Sequence, residues 1–283
     1  MSANPLIFRE VGATLARLKH RKNEMSQSVL QAFATGVASG HIRTIDLTQT
    51  LSPDTSTLIL PPPFGQCAPF KMEEISHYDE RGVAWYWNNF SMGEHTGTHF
   101  DAPIHWVTGK DLKNNTLETI VPKDFIAPAV VLDFSKHCAE NPDFLLSNMD
   151  IDDWEKKYGK IPPRSWVLFR SDWSKRTGDA YTNRREDGAH TPGPSPEAVR
   201  FLVEQRDALG FGVETIGTDA GQAHLLEPMY PAHTLFHGAG RYGLQCLTNL
   251  DQLPPTGAVI IATPLKIRNG SGSPLRVLAL VDG

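Results

Sequence analysis

No stretch of this chain approaches the ~20 consecutive apolar residues that span a bilayer, so no membrane-spanning helix is expected. The opening run, MSANPLIFREVGATLARLKHRKNEMS, lacks the apolar core of a secretory signal, which leaves a cytoplasmic location as the expectation. Cysteine is scarce. Cys67, Cys138 and Cys246 are odd in number and far apart, which argues against a disulfide framework and suits a reducing compartment. Long basic runs are missing, and a net charge of −5 gives no electrostatic footprint for nucleic acid. No internal repeat or low-complexity linker is visible. No GxSxG elbow occurs either, so Ser-His-Asp hydrolysis has no support.

Turn formers, by contrast, are plentiful. The 21 prolines and 23 glycines gather in stretches such as Pro61-Pro62-Pro63 and HTPGPSP at 190–196. They imply many turns and long ordered loops. With 283 residues, 40% of them hydrophobic and 21% charged, the chain suits one large globular domain.

Apolar residues at three- and four-residue steps predict helix over 6–40, from Leu6 and Phe8 to Phe33 and Val37, with Gly40 as the stop. Strands are expected over 42–51, 84–92, 128–134, 165–170, 212–218, 258–262 and 275–281. Helices are expected over 149–158 and 196–209, the second with Ser195 as N-cap. This pattern implies one mixed α/β or α+β domain over 41–283, preceded by a helical arm at 1–40.

The chemistry gathers in HTGTHFDAPIH. His95, His99, Asp101 and His105 are four potential ligands within eleven residues, and two histidines with a carboxylate suit Zn²⁺, Mn²⁺ or Fe²⁺. A fully extended chain would hold His95 roughly 13 Å from His99. A bend at Gly97, where a residue without Cβ costs least, folds His95 back onto His99 and Asp101. His105, beyond Pro103, then lies near the metal without being forced to ligate it, where a general base or acid belongs. The bland alternative is a pair of exposed histidines on a turn, but the combined Gly, Thr, Asp, Pro and third His is far more specific.

HTGTHFDAPIH resembles the HxGTHxDxPxH signature of the cyclase family of metal-dependent hydrolases, which includes kynurenine formamidases (arylformamidases) and isatin hydrolases. Weaker similarity runs from Ile42 towards the C-terminus through HTPGPSPEAV, GVETIGTD, HTLFHGAG and LTNLDQLP, and leaves 1–40 outside. The resemblance implies a swivelling β/β/α fold, a dimer or tetramer, and hydrolysis of amide-type C–N bonds. It makes His95, His99 and Asp101 the metal ligands, His105 the proton-transfer residue and His233 the downstream histidine of the site. Where the formamidases carry a glutamate for a second metal, this chain has Gln245, a neutral and poorer ligand. That departure favours the single-metal isatin hydrolase pattern, usually with Mn²⁺, Zn²⁺ remaining open.

The implied reaction is the opening of an isatin-type fused lactam. A divalent metal lowers the pKa of water and polarises the carbonyl, His105 carries the proton, and His233 binds the carbonyl oxygen or oxyanion. Arylformamidase action on N-formylkynurenine is the alternative. A non-catalytic, metal-stabilised binding protein is a third reading, against which His105 speaks. Trp85 and Trp87, two residues apart before the motif, are either core residues or, for Trp85, an aromatic wall for a planar substrate. Phe64 is a further loop candidate. His190 and Asp219 are expected to be structural, Glu73-Glu74 a solvated loop, His137-Cys138 surface, and Cys246 a pocket or core residue rather than a nucleophile.

Overall fold

The computed structural model describes residues 28–283, so the helix expected within 6–27 lies outside the described residues. The chain divides into two compact units, Met1–Arg43 with Gly283, and Thr44–Asp282. The described part of the first carries helix α1 (Val29–Ser39). Ser28 accepts the N–H of Gln31, and the Gln31 side chain accepts the N–H of Ser28, a reciprocal cap that satisfies two otherwise orphaned donors. Gly40 closes the helix at φ 81°, the left-handed conformation open to glycine.

The strands of three residues or more are β1 (Ile42–Asp46), β2 (Lys71–Asp79), β3 (Gly82–Ser91), β4 (His99–Asp101), β5 (Ile126–Asp133), β6 (Trp166–Arg170), β7 (Gly210–Val213), β8 (Tyr242–Gln245), β9 (Ala258–Ala262), β10 (Gly272–Pro274) and β11 (Val277–Asp282). Nine of them form one sheet in the order β1-β11-β9-β5-β6-β7-β8-β4-β10. Its centre, β5 through β8, is parallel, while β4, β9, β10 and β11 join antiparallel. Parallel strands covered on both faces read as unbroken apolar runs. Thus Ala129 and Val131 of β5 enter one core cluster, while Val130 and Leu132 enter the other. Helix α2 (Asn148–Tyr158) contributes Ile151 and Trp154 to the second cluster. The result is a mixed α/β sheet fold.

Several expectations shift. β2 was not foreseen: Glu73 and Glu74 lie on it rather than in a loop, paired with Asn89 and Asn88 of β3. Both faces of this ribbon are largely exposed, so no two-residue alternation marks it. The strand expected at 212–218 lies at Gly210–Val213, because the chain leaves the sheet at Glu214, whose carboxylate accepts the Ser171 N–H at 2.7 Å. The helix after Ser195 is regular only over Pro196–Arg200 and widens into a π-type turn at Phe201–Gln205. Cys138 is fully buried rather than at the surface.

Candidate metal centre

β4 is three residues long and lies between β8 and β10. His99 faces Gln245 and Pro274 in register, and Asp101 faces Gly243 and Gly272. Residues two apart on a strand share a face, so His99 and Asp101 project together. Gly97, at φ +64°, turns the preceding chain back. That brings His95 Nδ1 within 2.8 Å of Asp101 Oδ1. Gly272 admits this return, since a Cβ there would stand 2.3 Å from His95 Cε1.

Asp101 is fully buried at the middle of the cluster. His99 Nε2 lies 3.4 Å from its Oδ1, and His233 Nε2 lies 4.0 Å from its Oδ2. The Gln245 amide donates to the same Oδ2. Burial alone would raise the Asp101 pKa, but His105, His99 and His95 outweigh it and hold the carboxyl well below its ordinary value. Burial lowers His99 to about 4, Asp101 opposing only in part. A neutral imidazole beside an ionised carboxylate is the protonation state a divalent ion requires.

The hydrogen bonds also select the nitrogens. His99 Nδ1 donates to the Gly97 carbonyl at 2.7 Å, which leaves the lone pair on Nε2, facing Asp101. Ser271 donates its proton to Glu94 at 2.6 Å and lies 3.0 Å from His95 Nε2, so it accepts there and leaves Nδ1 towards Asp101. One donor atom each from His95, His99 and Asp101 lies within 4.8 Å of the others, as does one each from Asp101, His105 and His233. The first set, two nitrogens and a buried anionic oxygen, fits a divalent transition metal.

His105 ends a short turn at Pro103–His105. Its ring centre lies 3.9 Å from that of His95, 5.6 Å from His233 and 6.1 Å from His237. Burial lowers it to about 3, Asp101 opposing, so the imidazole is neutral and able to accept a proton. His233 and His237 come from the π-wound segment Ala232–His237. Burial would lower His233, but Asp219 and Asp101 outweigh it and raise its pKa. Trp85 is 51% exposed on β3 and flanks a shallow cavity with Trp87. It makes none of the contacts of the histidine cluster described above. Phe64 is 62% exposed in its loop.

Three members of this neighbourhood had no sequence signal strong enough to assign them. His237, buried and lowered to about 3 by burial, donates from Nδ1 to the Arg241 carbonyl at 3.1 Å. Its only trace was the four-residue step in HTLFH. Ser271 reaches His95 across 176 residues, a separation no local pattern reveals. Asp219, expected as a structural strand-end carboxylate, is buried but off the strands, and pairs with His233 at 2.6 Å. Cys246 is 2% exposed, and burial pushes its thiol up to about 12, which removes it as a nucleophile.

A mixed sheet that gathers two histidines and an aspartate, with His105 and His233 grouped on the same aspartate, is the arrangement of a metal-dependent hydrolase. The model of the family described as Putative cyclase matches residues 45–220, more than half of the chain, and the chain belongs to that family. It is 46% identical over 259 residues to isatin hydrolase of Roseibium aggregatum, covering 90% of this chain and 98% of that protein. It is 26% identical over 235 residues to kynurenine formamidase of Salinibacter ruber, covering 83% and 95%. Among solved structures, isatin hydrolase A from Ralstonia solanacearum superposes with a TM-score of 0.90 at 61% identity, over 92% of this chain and 99% of that one. An isatin hydrolase bound to the product analogue thioisatinate gives 0.89 at 45% identity, over 91% and 99%.

Proposed function

We propose that this chain opens isatin, a fused aromatic lactam, by hydrolysis at a single divalent metal ion. The observation that carries this reading is Gln245. Its amide meets Asp101 Oδ2, the oxygen that His233 Nε2 also approaches, where a carboxylate would be needed to hold a second ion, and it is neutral. The similarity to isatin hydrolases over nine-tenths of the chain supports the substrate.

His95, His99 and Asp101 would hold the ion, with Mn²⁺ the first candidate and Zn²⁺ the second. When bound, the ion supplies Lewis acidity that polarises the lactam carbonyl and acidifies water. His105, neutral at rest, takes the proton of the attacking water. Negative charge developing on the carbonyl oxygen raises the proton affinity of the imidazole as the bond forms. His105 then returns the proton to the leaving aryl nitrogen. His233, its pKa held up against burial by Asp219 and Asp101, donates its Nε2–H to the carbonyl oxygen from the other side of Asp101, and Gln245 orients the Asp101 carboxylate.

The aromatic ribbon carries Val83, Trp85, Trp87 and Phe90, each more than half exposed. A patch of this kind is the mark of an interaction surface, and we assign it to self-association into a homo-oligomer. Trp85 on this ribbon offers a stacking face for a planar bicycle. The segment 1–40 is assigned to an arm outside the hydrolase domain, and the setting is cytoplasmic. Among the described residues no helix is long and apolar enough to cross a membrane.

Parallel assays with isatin and N-formylkynurenine test the proposal. Isatin turnover well above formamide turnover is expected. The reverse order makes the chain an arylformamidase, and silence towards both makes it a binding protein.

A further inference from the structure

Asp219 is 6% exposed. Its Oδ1 accepts the Ala232 N–H at 2.6 Å, and its Oδ2 accepts the His233 N–H at 3.1 Å. The same Oδ2 lies 2.6 Å from His233 Nδ1. Among the described residues no lysine or arginine pairs with it, and His233 is its one ion-pair partner. The loop that carries it is pinned from behind, because the Gly221 N–H donates to the Thr191 carbonyl at 2.9 Å.

A carboxylate only accepts hydrogen bonds, so the proton of this contact sits on Nδ1. The two backbone bonds hold the carboxylate against the same turn that carries His233, so ring and partner move as one body. Nε2 alone is left to face Asp101, 4.0 Å away. We propose that Asp219 is the positioning residue of the hydrolytic site, committing His233 Nδ1–H to itself so that only Nε2 meets the substrate. The proposal rests on the placement of His233 at the substrate given above. Capping the turn alone would need no imidazole partner, whereas here one oxygen serves both backbone and ring.

Asp219→Asn keeps shape and removes the acceptor-only character. The two oxygens accept three N–H groups, so an amide NH₂ at either place meets a backbone donor, and the charged acceptor of Nδ1–H is lost in both orientations. The test uses metal-free protein with ¹⁵N-labelled histidine, the His233 resonances being identified by their loss in His233→Gln. The expected wild-type spectrum shows a proton on Nδ1, and Asp219→Asn lowers the fraction of rings that carry it. With metal restored, kcat for isatin falls about 10- to 100-fold while KM stays within about twofold. The same substitution then has no further effect in a His233→Gln background. A wild-type ring protonated on Nε2 alone overturns the proposal, even if the variant fails to fold. So does an unchanged kcat in a variant whose Nδ1-protonated fraction has fallen. Because the spectrum needs no substrate, a chain inactive on isatin refutes the proposed activity without touching this result.

Discussion

Asp101 and Gln245 lie diagonally across neighbouring antiparallel strands, Gln245 in register with His99, and the Gln245 amide donates to Oδ2 of Asp101. A buried carboxylate is thereby shared between two histidines on one oxygen and a neutral amide on the other. The neutrality of that amide limits the positive charge the site can hold.

Replacing Gln245 by Glu is therefore expected to add a second ion. Two carboxylates beside His233 repel each other until a cation joins them. Metal stoichiometry by mass spectrometry should rise from one towards two per chain in Gln245→Glu. A count that stays at one would remove Gln245 as the determinant.

His105→Ala should separate metal binding from turnover. The side chain is outside the His95, His99 and Asp101 set, so metal content should stay at wild-type level. Loss of a proton-transfer group should lower kcat by about 10²- to 10⁴-fold. A variant that loses the metal as well would place His105 among the ligands.

Gly97→Ala should weaken both fold and site. At φ +64° any Cβ is strained, and here it would also meet Leu51 Cδ2 at 2.6 Å. The left-handed penalty of about 1–2 kcal/mol corresponds to a Tm lower by about 2–6 °C in a chain of this size. Metal affinity should fall with it, because the same turn returns His95 to Asp101. Calorimetry and metal titration of the variant check both.

His190 should make stability depend on pH. Asp143 at 2.8 Å and Asp187 at 3.0 Å raise its pKa, Asp143 first. A raised folded-state value stabilises the protein fully below the unfolded pKa of about 6.5 and loses that contribution as pH rises through the folded value. The Tm difference between wild type and His190→Gln should therefore be larger near pH ~6 than near pH ~9. An equal difference at both would show that the ion pair adds nothing beyond packing.

Local chemistry made much of the centre legible. HTGTHFDAPIH carries His95, His99, Asp101, His105 and the bend between them within one short run, and Gly97 adopts the left-handed turn that the spacing required. The buried parallel strands were legible for a related reason: burial on both faces writes an unbroken apolar run, as in PAVVLDF and SWVLFR. The ribbon strand β2 was not, because exposure on both faces erases alternation. Ser271 was hidden by distance in sequence, since a hydrogen bond across 176 residues leaves no local spacing to read, and Asp219 pairs with His233 across 14 residues, a step that matches neither helix nor strand. The widening of the helix at Phe201–Gln205 preserves an apolar spacing close to helical, and so passed for regular helix.

The central claim is one metal ion per chain serving lactam hydrolysis. It is met most directly by titrating metal-stripped protein with Mn²⁺ while following the opening of isatin. Activity should be absent at the start, rise in proportion to added ion, and level off at one equivalent, with no rise in His99→Ala. Activity in the stripped protein, or a plateau only at two equivalents, would contradict the account.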